Sequence, residues 1–186
     1  MIHIKATSGT ILYSQGRINR IKGEKMRLTM RTNLAMRTLM FCAVNQGRTV
    51  RKHEVAEQCN ASENHLAQVI NTLAQLGYVD TVRGRNGGLR LGRPPEQIRV
   101  GEVARVFETP VPFAECFDPE TNTCPLIGNC RLQTALKAAL EAFYTSLEKV
   151  TLADLIDGND GLHLLLSMQP VRSAPCHRPA SALHIQ

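Results

Sequence analysis

The chain has 186 residues, 43% of them hydrophobic, which leaves room for one ordinary globular domain with short appendages. No apolar run approaches the about 18 residues that a bilayer-spanning helix needs, and residues 1–25 lack both a continuous apolar stretch and a small-residue cleavage site, so they read as neither secretory signal nor anchor. The net charge of +6 is unevenly spread: bases outnumber acids 5 to 1 over residues 1–25 and 11 to 5 over 26–99, whereas acids lead 10 to 6 from residue 100 onward. A basic front and an acidic back suit a polyanion-binding module joined to a second unit.

After the polar lead, Ala35, Met36, Leu39, Met40 and Ala43 recur at helical spacing, and Asn45-Gln46-Gly47 closes the run. A short helix is expected over about His53 to Gln58, with Val55, Ala56 and Cys59 facing inward. Ser62 then stands as an N-cap, and Leu66, Val69, Ile70, Leu73 and Leu76 form one stripe ended by Gly77. Two helices joined by a tight turn make a helix-turn-helix. Tyr78 to Val82 is rich in strand formers, Arg83-Gly84-Arg85-Asn86-Gly87-Gly88 contains the Asn-Gly hairpin signal, and Leu89-Arg90-Leu91 returns. The hairpin is a wing carrying Arg83, Arg85 and Asn86 at its tip. DNA is the polyanion this arrangement fits. Ser62, Asn64, His65 and Gln68 lie on the polar side of the expected recognition helix, and Arg51 and Lys52 are further candidates for phosphate contacts.

Beyond Pro94-Pro95 a helix is expected over Ile98 to Phe107, with Val100, Val103, Ala104 and Phe107 inward, stopped by Thr109-Pro110-Val111-Pro112. A long helix without Pro or Gly follows from about Arg131 to Lys149. Its apolar positions Leu132, Leu136, Ala139, Phe143, Leu147 and Val150 trace a near-heptad seam, which predicts pairing with a second copy. Thr151 to Ile156 reads as a short helix capped by Thr151, with Leu162 to Leu166 packing back. Residues 169–186, rich in Pro, Ser and Ala, read as a disordered tail. The fold class is therefore mainly α with a small β wing: a winged helix-turn-helix domain over 26–108, a cysteine loop over 109–130, and a dimerisation unit over 131–168.

Cys116, Cys124 and Cys130 lie in "ECFDPETNTCPLIGNC" with C-x7-C-x5-C spacing. In a reducing cytosol, clustered thiols bind metal or act in redox chemistry more often than they pair as disulfides. Structural zinc wants four ligands, usually with C-x2-C pairs, whereas iron-sulfur clusters tolerate longer, irregular loops. Spacing alone leaves zinc and a cluster both open. Cys42 and Cys59 read as small core residues.

From Met26 on, this order of elements resembles the NsrR, RirA and IscR family of bacterial winged-helix regulators. The resemblance rests on "MRLTMRTNLAMRTLM" at the first helix, "VRGRNGGLRLGRP" at the wing, "CPLIGNCRL" in the cysteine loop and "TLADLI" after the long helix, and it covers residues 26–168. Because "MRLT" resembles the family's own N-terminus, residues 1–25 read as an added basic arm or as a segment foreign to the native chain. The resemblance implies a homodimer that binds double-stranded DNA and carries an iron-sulfur cluster. The IscR branch places a His three residues after its last cysteine, where this chain has Gln133. The NsrR and RirA branches match better, which implies Cys116, Cys124 and Cys130 as ligands of a [4Fe-4S] cluster, with [2Fe-2S] and zinc as alternatives. In NsrR-type proteins an Asp of the other subunit is the fourth ligand. Asn33 stands at that place here, so the fourth corner falls to Asn33 of the partner chain, to Glu115 or Asp118, or to solvent.

The functional expectation is a cytoplasmic, homodimeric repressor on an inverted-repeat operator, released when nitric oxide attacks the cluster. A RirA-like regulator that loses its cluster when iron is scarce is the alternative: "AECF" resembles that branch, whereas "NHLAQVINTLAQLGYV" leans toward NsrR. A redox enzyme would want a C-x-x-C pair, a nucleotide-binding glycine loop or a Ser/His/Asp constellation, none of which the sequence holds. A zinc-stabilised DNA-binding module without a sensing role is the remaining reading.

Overall fold

The computed structural model describes residues 28–84 and 87–167; the predicted lead and tail, and Arg85 and Asn86 of the wing tip, lie outside them. In chain order the elements are α1 (Met30–Val44), α2 (Lys52–Gln58), α3 (Glu63–Gln75), β1 (Val79–Val82), β2 (Gly88–Leu91), a 3-10 turn (Pro95–Gln97), α4 (Val100–Glu108), α5 (Arg131–Glu148), α6 (Leu152–Ile156) and α7 (Asp160–Leu166). A mainly helical chain with one small antiparallel sheet is the class the sequence predicts.

α1 is the central helix. One side of it, Leu34, Ala35, Leu39 and Ala43, packs with Val69, Leu73, Val79, Ile98, Val103, Phe107, Leu152 and Ile156. The other, Phe41 and Cys42, packs with Val50, Val55, Cys59, Leu66, Ile70 and Leu89. Each fully buried side chain of this size stabilises the fold by about 1.5–3 kcal/mol relative to exposure. Burial on two sides explains why a single predicted stripe captured only part of α1: Met36 and Met40 are half-buried, while Phe41 is fully enclosed. The buried Thr38 hydroxyl is satisfied by donating to the Leu34 carbonyl at 2.7 Å.

Ser62 caps α3 as predicted, its Oγ accepting from the His65 N–H at 3.3 Å. Gly77 ends the helix at φ +70°, the left-handed position that glycine takes at no steric cost. Leu66, Val69, Ile70 and Leu73 are buried, but Leu76, expected in the same stripe, stands at the C-cap and is 40% exposed. The wing pairs Val79 with Leu91 through Val82 with Gly88. A third segment, invisible in the sequence, joins it: Val50 exchanges both backbone hydrogen bonds with Leu89, at 2.9 and 2.7 Å.

The helix expected from Ile98 starts only at Val100. Ile98 and Arg99 are extended, because the Ile98 carbonyl accepts from the Leu152 N–H at 2.8 Å and the Val100 N–H donates to the Val150 carbonyl at 2.9 Å. Val100 is half-buried, whereas Val103, Ala104 and Phe107 are buried as predicted. This backbone pairing delivers α6, capped by Thr151 as expected, into the first core. It also seats the C-terminal half of α5 on α4.

A Cβ at Gly101 would lie 2.5 Å from the Glu148 backbone nitrogen and 2.6 Å from the Tyr144 carbonyl oxygen. Beside it Arg105 forks onto both oxygens of Glu141 at 2.9 and 3.1 Å, reaches Glu148 at 3.3 Å, and stacks 4.4 Å over the Tyr144 ring. Only glycine permits this approach. Alanine is the better helix former, so Gly101→Ala would stabilise α4 if the contact were absent; with the contact, the overpacked joint loses about 1–3 kcal/mol. Urea unfolding of the two proteins is expected to show a lower midpoint for the variant.

Candidate DNA-reading face and cysteine loop

Asn64, His65 and Gln68 are all exposed on α3, and Gln68, four residues after Asn64 and three after His65, shares a face with both. The exposed Ser62 begins the same face, although its oxygen is engaged in the cap. Arg83 is exposed on the wing flank. Of the two proposed phosphate contacts, Arg51 is exposed at the start of α2 with its backbone N–H held by Glu54 at 2.7 Å, whereas Lys52 is committed to an ion pair with Glu63 at 2.9 Å that braces α2 against α3. Burial would raise the Glu54 pKa, but the Arg51 N–H and the Arg48 guanidinium outweigh it and hold the carboxyl below its ordinary value. Arg90, which the sequence reading passed over, is exposed on β2 with its Nε donating to the Thr49 hydroxyl at 2.7 Å.

The cysteine loop spans 109–130. Glu115 closes its first part: one carboxylate oxygen accepts from the Thr123 hydroxyl at 2.6 Å and the Thr123 N–H at 2.8 Å, which hold its pKa down. Asp118 is likewise tied, accepting from the Thr121 hydroxyl at 2.6 Å and the Glu120 N–H at 3.0 Å, with the same downward effect. Both acids offered as fourth ligands are therefore engaged within the loop. Asn33 is exposed on the first turn of α1. That turn is pinned to the end of α4, because one Glu108 oxygen accepts from the Thr29 N–H at 2.8 Å and from the Thr32 hydroxyl.

Cys116, Cys124 and Cys130 are half-buried free thiols. Cys42 and Cys59 contrast with them as fully buried core residues, as predicted. Burial, reinforced by neighbouring Cys59 and opposed by Arg48, pushes the Cys42 thiol up to about 12, and burial raises Cys59 against the pull of Arg37. Those two are inert at neutral pH. Among the described residues no three His, Cys, Asp or Glu side chains converge as a metal ion requires, so the loop thiols have to swing inward to share a group.

The donor set nonetheless fits an iron-sulfur cluster: three soft, accessible ligands on one loop. A buried donor without an acceptor stands among them. Asn122 accepts from the Cys124 N–H at 2.9 Å, while its Nδ2 is buried and unpartnered, the arrangement a sulfide or thiolate acceptor would complete.

The loop leads into α5, whose seam is uncovered in the single chain. Leu132 is 66% exposed, Ala139 and Phe143 are exposed, and Leu136, Leu147 and Val150 are half-buried. Tyr144 is the one α5 residue that is buried. Among the described residues no helix is long and apolar enough to cross a membrane.

Residues 28–158 match the family model Rrf2, described as an iron-dependent transcriptional regulator. The chain is 42% identical over 145 residues to the HTH-type transcriptional regulator NsrR of Bacillus subtilis (strain 168), covering 77% of this chain and 99% of that protein. It is 43% identical over 143 residues to NsrR of Bacillus licheniformis, covering 76% and 100%. A protein named aau3 of Rhizobium meliloti (strain 1021) is 42% identical over 148 residues, covering 79% and 96%. Among solved structures, IscR of T. potens aligns with a TM-score of 0.54 at 25% identity over 70% of this chain and 86% of that one. CymR, the global cysteine regulator of B. subtilis, aligns with a TM-score of 0.57 at 24% identity over 70% and 96%, and shares the fold. A winged reading head, a long helix behind it and a match over most of its length together assign this chain to the Rrf2 family of DNA-binding transcriptional regulators.

Proposed function

We propose that the chain is a cytoplasmic homodimeric repressor whose binding to an inverted-repeat operator is controlled by a [4Fe-4S] cluster on Cys116, Cys124 and Cys130, and which nitric oxide releases from DNA. The observation that carries this reading is the position of the three accessible thiols: they lie on the loop that joins the reading head to the uncovered seam of α5. When bound, such a cluster supplies an iron whose weakly held fourth corner small molecules can attack.

The chain's residues divide the remaining work. Ser62, Asn64, His65 and Gln68 meet base edges and backbone in the major groove, while Arg83, Arg85 and Asn86 serve the wing in the adjacent groove or on phosphates. The α5 seam brings two reading heads to a fixed separation, which a two-fold operator requires. Asn33, exposed and held in place through the Glu108 clamp on α1, is offered to the partner's loop as a weak amide ligand.

A second reading keeps the cluster and changes the signal: loss of the cluster when iron is scarce. It is favoured by the family description, which names an iron-dependent regulator. Operator binding by fluorescence anisotropy under anaerobic conditions separates the two. Nitric oxide near stoichiometry with the cluster is expected to abolish binding by the wild type, and Cys124→Ala is expected to give a folded dimer that does not respond. Release by an iron chelator but not by nitric oxide would select the iron reading, and zinc as the bound metal would sink both.

The DNA face generates its own test. Gln68→Ala is expected to cost about 1–3 kcal/mol on the operator and to relax preference at one base position, whereas Arg83→Ala should weaken all sequences alike and lower the salt slope by about 1. Titrations at several salt concentrations check both.

A further inference from the structure

The cysteine loop is attached very differently at its two sides. Toward the winged core, its described hydrogen bonds end at the last turn of α4, where Thr109 and Val111 donate backbone N–H groups to the Arg105 and Glu108 carbonyls. From Ala114 to Cys124 the loop bonds to itself, through the Glu115 and Asp118 clamps. Its neighbours in the loop are met by Phe117, edge-on to Phe113 at 5.8 Å, and by the Cys124 carbonyl, which accepts from the Ile127 N–H at 3.3 Å. Among the described residues it reaches a helix through two contacts, both on the first two turns of α5. Gln133 Nε2 donates to the Cys116 carbonyl at 2.7 Å, and the Lys137 ammonium lies 6.0 Å from the Phe117 ring centroid.

The far end of α5 is in the opposite condition. Its C-terminal half is locked to α4 by the Gly101 seat, the Arg105 fork and the backbone bonds between residues 98–100 and 150–152. Before Tyr144 no residue of the helix is fully buried in its own chain. Gln133 is 8 residues, or about 12 Å of helix, from Glu141, where that anchor begins. A disturbance in the loop therefore meets a lightly packed helix end on one side and a rigid joint on the other.

We propose that the state of the loop passes to DNA through the N-terminal half of α5, with Gln133 as the latch, and not by bending the α4–α5 joint. The signal is then read across the dimer seam, where Leu132 and Leu136 face the second copy. Gln133 is a positioning residue: it holds the backbone of a thiol-bearing residue against the dimer helix. This inference rests on the cluster-controlled reading of the loop.

Hydrogen exchange on the full-chain dimer, with and without its cluster, tests the route. Loading is expected to change protection over 113–137 and to leave 98–108 and 144–156 unchanged; a change at 98–108 or 144–156 would overturn the proposal. In the cluster-free dimer, Gln133→Ala should speed exchange over 115–124 about fivefold, as the loss of one net hydrogen bond would.

With the cluster loaded to wild-type iron content, the same variant should bring the loaded and cluster-free operator affinities together, and Gln133→Lys, which keeps an N–H donor, should restore their difference. An alanine variant with wild-type exchange and a wild-type affinity difference would refute the latch. A wild-type dimer that binds operator equally with and without cluster would defeat the functional reading instead, while the cluster-free exchange comparison would still decide the latch.

Discussion

The close approach of α4 and α5 at Gly101 is the constraint on which the rest of the molecule depends. It places helix backbone against helix backbone with no side chain between, so the angle between the reading head and the long helix has little room to vary. Arg105 reinforces the seat in a way that a simple ion pair would not. Exposed pairs contribute little individually, but here one guanidinium meets two carboxylates and an aromatic face at once. The extended pairing around Ile98 and Leu152 then carries the chain back into the first core. In a dimer, a rigid joint within each chain leaves the spacing of the two heads to the contact between chains.

The reading head is stiff for a related reason. α1 is buried on two sides and touches nearly every other helix of the core, so α3 and the wing are held by the same central element. The Glu108 clamp on Thr29 and Thr32 ties the first turn of α1 to the last turn of α4, where the cysteine loop departs. Asn33, the wing and the loop are therefore all referred to one rigid body.

Legibility in the sequence followed the locality of the interaction. The helix-turn-helix and the wing strands were readable because their signals are short-range: Ser62 and its cap, Gly77, the strand formers from Tyr78 to Val82 and the stripe from Leu66 to Leu73. The start of α4 was misread because Ile98 and Arg99 obey a pairing some fifty residues away, which overrides their helical periodicity. The Val50 segment of the wing and the Glu108 clamp were missed for the same reason, since neither has a local signature. The cysteines were visible by spacing, but their mutual arrangement was not, because thiol convergence depends on what they hold. Gln133 drew notice only for standing where a His stands in the IscR branch; its bond to the Cys116 carbonyl belongs to tertiary structure.

The loop itself is organised without being complete, and that balance suits a switch. The Glu115 and Asp118 clamps confine Cys116 and Cys124 to one closed turn of chain, which reduces the entropy lost when they share a ligand. The buried, unpartnered Asn122 amide works the other way. Leaving such a donor unsatisfied costs about 1–3 kcal/mol, and Leu126 and Ile127, a few residues further along the loop, remain largely exposed. A loop already satisfied on its own would gain little from holding a group and would respond weakly to its loss. One that is preorganised but short of an acceptor has differential free energy to release, and that difference sets how far a ligand can shift a two-state equilibrium.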